Sequence, residues 1–85
     1  MTFIAKVYVT PKAAVLDPAG KAVEASLATL GYTEVADVRL GKYIEVHLTA
    51  AGKEQARERV GEMCRRLLAN EVIEEFRFDV EVDER

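Results

Sequence analysis

The central stretch Glu34–Leu48 constrains the fold more than any other part of the sequence. Two runs of residues suited to β-strands, Val35–Leu40 and Lys42–Leu48, lie on either side of Gly41. A glycine in so short a connection is typical of a β-hairpin. A strand and a helix are predicted before this hairpin, and a helix and a strand after it. The sequence therefore predicts the element order β-α-β-β-α-β.

Alternation of apolar and polar residues supports the strands of this order, because successive side chains of a strand point to opposite faces of a sheet. The predicted first strand is Thr2–Thr10 and the predicted last strand is Val72–Val82. The apolar residues that share the inward face are Phe3, Ala5, Val7 and Val9 in the first strand, Ile44, Val46 and Leu48 in the third, and Phe76, Phe78, Val80 and Val82 in the last. We expect these side chains to form one side of the core.

Helix signals occupy the two remaining segments. Asp17 can cap a helix that begins at Pro18, and Gly31 is suited to end it, so the first helix is predicted at 18–30. A second helix is predicted at about 52–69, ended by Asn70. The apolar stripes of the helices are Ala22, Val23, Ser26, Leu27 and Leu30 in the first, and Ala56, Val60, Met63, Cys64, Leu67 and Leu68 in the second. Their spacing predicts that each helix buries one side.

These elements predict an α+β fold of the ferredoxin-like (βαββαβ) type, with a four-stranded antiparallel sheet and two helices on one of its faces. Residues 1–85 form a single domain in this interpretation, since the chain is too short for two. The face away from the helices would carry Ile4, Tyr8, Tyr43 and Val35. Such a face is too apolar to stay in contact with water, so we expect a second copy or another protein to cover it.

Composition excludes several classes of function. The net charge is −3, and Lys and Arg are scattered among Asp and Glu, which argues against a nucleic-acid binder. No apolar run approaches the 18 or so residues that span a membrane. One cysteine cannot form an internal disulfide, which fits the reducing cytoplasm. We therefore expect a cytoplasmic protein with neither a nucleic-acid nor a membrane partner.

The sequence predicts no catalytic, cofactor-binding or metal-binding residue. Cys64 is expected on the buried stripe of the second helix and His47 on the opposite face of the sheet, so they cannot act as a nucleophile and base. No group of Cys and His has the spacing of metal ligands. Asp17 and Pro18 are better explained as a helix start than as part of a phosphate site, because the aspartate would repel an anion.

The remaining candidates are contact residues. Lys12, Arg39, Lys42 and Tyr43 lie on predicted loops or strand ends, where the chain can meet a partner. Together with the apolar residues of the uncovered sheet face, they form the predicted subunit interface. Its members are Ile4, Tyr8, Lys12, Arg39, Lys42 and Tyr43.

Several short motifs, in this order and at this spacing, resemble one known family over nearly the whole chain. They are Val7–Lys12, Val15–Pro18 with Gly20–Val23, Leu30–Tyr32, Val38–Arg39 with Gly41–Glu45, and Cys64 with Leu67–Asn70 and Val72–Glu74. The chain resembles the PurS family, the small subunit of phosphoribosylformylglycinamidine synthase in de novo purine biosynthesis. Each motif is weak alone, and the set is specific.

The resemblance implies a role in a glutamine-dependent, ATP-using ligase. A glutaminase subunit would release ammonia, and a large synthetase subunit holding ATP and magnesium would use it to convert formylglycinamide ribonucleotide to its amidine. The small subunit would bridge these two and support ammonia transfer, with no cofactor and no catalytic residue of its own. It would also associate with itself as a homodimer or homotetramer.

Two other functions share the predicted topology. An ACT-type regulatory module would bind a small molecule at a dimer seam, and it is usually fused to an enzyme domain that this chain lacks. An acylphosphatase-type enzyme would need an anion-binding loop with an arginine after the first strand, where Pro11-Lys12 stands instead. The bridging subunit is the leading interpretation, with the ACT-type module as its main alternative.

Overall fold

The computed structural model describes residues 1–84. Its elements are β1 (Thr2–Pro11), α1 (Pro18–Thr29), β2 (Lys42–Thr49), α2 (Lys53–Met63), a π-helical turn (Cys64–Leu68) and β3 (Glu74–Val82). This is the predicted α+β class, with one strand fewer than expected.

The three strands form one antiparallel sheet in the order β2-β1-β3. In the register of β1 with β2, Phe3 lies opposite Leu48 and Tyr8 opposite Tyr43. In the register with β3, Phe3 lies opposite Val82. Because β1 is central, it carries the most deeply buried side chains. The two outer strands each leave one edge without a partner strand among the described residues.

One face of the sheet, here called the inner face, is covered by α2 over β1 and β3. The alternation predicted for β1 is confirmed, since the four inward side chains of this strand are at most 1% exposed. Ala56 and Val60 of α2, Cys64 of the π-helical turn and Val80 of β3 complete the centre of the core. The opposite, open face carries the alternate residues of each strand, including Ile4 and Tyr8.

The predicted strand Val35–Leu40 is wrong, because this segment pairs with no strand. The predicted hairpin at Gly41 fails for a geometric reason: two-residue hairpin turns need a positive φ, and in the described chain only Gly31 has one. Gly41 instead allows two backbone segments to pack closely, since a Cβ at this position would overlap the carbonyl oxygen of Val9. The chain therefore runs on into β2 without turning back.

The prediction that α1 covers the sheet is also wrong for the single chain. Among residues 1–84, α1 makes no extensive contact with a strand or with α2. Its first turn lies beside Val38, and the chain then travels the length of the helix, turns at Gly31 and comes back. We call residues 17–41 the arm, and residues 32–41 its returning limb. Only Gly20 is buried in α1.

The end of α2 also departs from the predicted continuous helix. At Cys64 the helix widens into a π-helical turn, which the amide of Ala69 closes by donating to the Cys64 carbonyl at 3.0 Å. One extra residue in a turn rotates everything after it around the helix axis. As a result Leu67, predicted in the core, is 83% exposed, whereas Ala69 is buried.

Candidate interaction surfaces

Five of the six predicted interface residues gather at one end of the sheet, where β1 ends and β2 begins. Tyr8 and Tyr43 face each other across these strands, with ring centroids 5.2 Å apart. Arg39 donates to the carbonyl of Pro11 at 3.0 Å, and Lys12 follows directly in the chain. Ile4 is the exception, since it lies further along the open face, opposite His47. The sequence predicted these six residues as contact residues, but it did not predict that five of them lie together at one end of the sheet.

Two basic residues of this end, Arg39 and Lys42, are already paired within the chain. Arg39 lies 3.6 Å from the carboxylate of Glu75, and Lys42 lies 3.9 Å from that of Glu74. Lys12 lines an open cavity of about 280 Å³ together with those two glutamates. These exposed ion pairs contribute little to stability because water screens them. They leave a surface of mixed charge that can exchange its internal pairs for contacts with a partner.

The open face is less apolar than predicted. The guanidinium of Arg77 lies 4.5 Å from the centroid of the Tyr8 ring and covers part of it. The hydroxyl of Tyr43 donates to Glu45 at 2.8 Å, and this hydrogen bond raises the pKa of Tyr43 to about 12. Val35, predicted on this face, belongs to the returning limb instead. The open face thus combines two tyrosines and Ile4 with charged neighbours.

Two other apolar surfaces of the described chain lie elsewhere, and the sequence did not predict them as interfaces. One is the arm, whose exposed side chains include Leu30 (73%) and Tyr32 (51%). The other is the β2 half of the inner face, where α2 makes no extensive contact and Ile44, Val46 and Leu48 are only partly buried. The apolar stripe of α1 was predicted from the helical spacing of its residues. Helical spacing alone does not determine whether the stripe packs on the sheet of the same chain or on the sheet of another copy.

The lone thiol and the lone imidazole lie on different sides of the sheet. Cys64 is fully buried in the core, and burial raises the pKa of its thiol. His47 is on the open face, where its Nδ1 lies 2.9 Å from a carboxylate oxygen of Asp83. A buried neutral thiol is a poor nucleophile. This agrees with the predicted core role of Cys64.

Within residues 1–84, no three His, Cys, Asp or Glu side chains come close enough to hold a metal ion. In the same part of the chain, no helix has the length and apolar character needed to cross a membrane. Three surfaces of the described chain are candidates for function: the arm, the uncovered half of the inner face, and the mixed end of the sheet, which carries Lys12, Arg39 and Lys42.

Comparison with known proteins identifies the family. The family model for PurS, described as phosphoribosylformylglycinamidine (FGAM) synthase, matches residues 4–82. The PurS subunit of this synthase from Bacillus subtilis is 49% identical over 76 residues, which are 89% of this chain and 89% of that protein. The chain belongs to the PurS family.

Solved PurS structures have the same fold. The crystal structure of the PurS subunit from Thermotoga maritima matches with a TM-score of 0.87 at 33% identity, covering 95% of this chain and 93% of that one. A chain in the structure of PurLQS from the same organism matches with a TM-score of 0.86 at 33% identity, covering 95% and 99%. This chain is therefore a subunit of FGAM synthase, a glutamine-dependent ligase complex of purine biosynthesis. The ACT-type alternative gains no support.

Proposed function

We propose that this PurS chain is a non-catalytic bridge in the FGAM synthase complex. It holds a glutaminase subunit and a large synthetase subunit together, so that ammonia released by one reaches the other without loss to water. The supporting observation is that apolar residues of the arm are exposed and those of β2 only partly buried in the described chain, while its one thiol is buried in the core.

The partners follow from the relatives. A chain of this fold is part of PurLQS in Thermotoga maritima. By the same arrangement the partners here are a PurL-type synthetase, which would hold ATP and magnesium, and a PurQ-type glutaminase. The complex would work in the cytoplasm. The mixed end of the sheet, with Lys12, Arg39, Lys42 and Tyr43, is the surface we assign to these partners, together with Ile4 and Tyr8 on the open face.

The chain also associates with itself in this proposal. Its radius of gyration is 16.3 Å, whereas a compact chain of this length has a value of about 12 Å. The excess comes from the arm, which carries an apolar stripe away from the body. A helix this exposed is stable only when its stripe is covered, since short isolated helices are marginal in water.

The two uncovered surfaces fit each other. The sheet lacks a helix over β2, and α1 lacks a sheet to cover. In a dimer with two-fold symmetry, the arm of each copy can lie over the β2 strand of the other. This arrangement covers the apolar stripe of α1 and the β2 half of the inner face at the same time. The result is the predicted two-layer arrangement of helices on one sheet face, with one helix supplied by the partner copy. We therefore propose a homodimer by exchange of arms.

The bridging role is tested by reconstitution. Synthetase and glutaminase subunits are mixed with formylglycinamide ribonucleotide, ATP and glutamine, with and without this chain. We expect glutamine-dependent product only with all three proteins, and ammonia-dependent product from the synthetase in either case. Equal use of glutamine without this chain would contradict the proposal.

The exchange of arms is tested by placing a charge in the stripe. Leu27→Asp should convert the dimer to a monomer in sedimentation experiments, because the carboxylate would have to enter the apolar layer. Ala28→Asp is the matched control, since residue 28 lies outside the predicted stripe and is exposed. The control should stay dimeric. A dimeric Leu27→Asp protein would show that the arm is not at the interface.

A further inference from the structure

The base of the arm is built around one carboxylate. Asp17 accepts a hydrogen bond at Oδ1 from the amide of Gly20, and at Oδ2 from the amide of Leu40, each at 3.0 Å. The first bond caps α1. The second crosses to the returning limb, 23 residues away in the chain. These two bonds hold the pKa of Asp17 below its ordinary value, so the charged form that accepts both is the form present at neutral pH.

The backbones also approach closely at this point. A Cβ on residue 20 would overlap both the Asp17 carboxylate and the carbonyl oxygen of Val38, so only glycine fits between the helix and the limb. The limb is in turn attached to the sheet, since Arg39 donates to the Pro11 carbonyl at 3.0 Å. The connection from α1 to the sheet therefore runs through Asp17, the limb and the end of β1.

Among the described helices and strands, α1 has no comparable attachment. Across the described chain, no apolar layer joins α1 to the strands or to α2. α1 has 12 residues and is therefore about 18 Å long, so the displacement caused by a rotation at the base grows along the arm toward Gly31.

We propose that Asp17 is a positioning residue, whose bond to the Leu40 amide fixes the direction in which the arm leaves the sheet and so sets the affinity of one copy for another. The inference rests on the arm-exchanged homodimer proposed above. An arm already held in its bound direction loses less conformational freedom on docking than a loose one.

Two roles of Asp17 can be separated by its replacement. A serine at position 17 can still cap the helix by accepting from the Gly20 amide, but its side chain is too short to reach the Leu40 amide as well. If Asp17 is only a helix cap, Asp17→Ser behaves like the original protein. If it is also the tether, Asp17→Ser keeps the helix and loses the direction of the arm.

The matched control is Asp37→Ser. Asp37 lies on the same limb and carries the same charge, but it makes only long ion pairs of 3.9 Å, with Lys21 and Arg39. Its replacement changes the net charge by the same amount and leaves both hydrogen bonds of Asp17 in place.

The first readout is a distance within one chain. Spin labels are attached at Thr33→Cys near the far end of the arm and at Thr49→Cys at the end of β2, in a Cys64→Ala background, and labelled protein is diluted with unlabelled protein. We expect the distance distribution of Asp17→Ser to be at least twice as wide as that of the original protein. Asp37→Ser should leave the width unchanged, and circular dichroism should show equal helix content in all three.

The second readout is the dimer dissociation constant from sedimentation equilibrium. We expect it to rise about tenfold in Asp17→Ser, because a loosened arm loses more conformational freedom on docking, and less than twofold in Asp37→Ser. An unchanged distance width in Asp17→Ser, or a wider distribution with an unchanged dissociation constant, would overturn the inference. Should the original protein prove monomeric, the homodimer fails and the inference with it, whereas the bridging role would stand on the reconstitution assay.

Discussion

Val7 shows how much of this fold depends on single side chains of the central strand. It is completely buried on the inner face of β1. Replacing it with alanine removes two methyl groups and leaves a cavity, so we expect Val7→Ala to lower the free energy of unfolding by about 2 kcal/mol. Urea denaturation measures this loss. The same substitution at Val72, which is 80% exposed, should change it by less than about 0.5 kcal/mol.

Tyr43 offers a test of the open face. Its pKa is raised to about 12, first by the hydrogen bond that its hydroxyl donates to Glu45. The bond favours the protonated phenol, so Glu45→Gln should bring the pKa of Tyr43 down toward about 10. A pH titration of the tyrosine ring signals by NMR measures the change. Glu75→Gln, which removes the same charge from β3, should leave it near 12, and a pKa that stays high in Glu45→Gln would contradict the assignment.

At the scale of single residues, the sequence correctly predicted which side chains of β1 face the core. The inward residues of β1 are buried as their alternation predicted, because burial in a strand depends on a period of two that the sequence displays directly. The six interface residues were predicted as a set, and five of them lie at one end of the sheet. Their internal ion pairs could not be predicted, since these depend on the register of β1 with β3.

At the scale of elements, the π-helical turn has a measurable consequence. Regular helical spacing places both Leu67 and Leu68 in the core, whereas the turn exposes Leu67 and leaves Leu68 against the core. We expect Leu68→Ala to cost about 2 kcal/mol and Leu67→Ala less than about 0.5 kcal/mol in urea denaturation of the monomeric Leu27→Asp protein. Equal costs at the two positions would mean that the helix continues without the extra residue.

The missing fourth strand shows where sequence patterns become ambiguous. Val35–Leu40 has the residues of a strand, but in the structure this segment pairs with no strand. A glycine after such a segment can form a hairpin turn, or it can let a neighbouring backbone pack closely. Both structures favour glycine, so the residue type does not distinguish them. The position of Val9 against Gly41 decides between them, and that contact is set by the tertiary structure.

At the scale of the whole molecule, stability and association should be inseparable. If the arms complete each other's cores, dilution removes part of the core along with the partner. We expect the melting temperature to rise by about 3–5 °C for each tenfold increase in protein concentration, as followed by circular dichroism. The melting temperature of Leu27→Asp should not depend on concentration. A concentration-independent melting temperature in the original protein would argue against the exchanged dimer.

The thinness of the body limits how it can serve ammonia transfer. With a shortest dimension of 14 Å, the chain is one sheet and one helix deep, and that depth is filled by close-packed core side chains. Close-packed side chains leave no enclosed channel for ammonia through the part of the chain that the structure describes. An ammonia channel that passes this chain must therefore be lined in part by a neighbouring subunit. Such a channel would be open to solvent whenever the subunits separate.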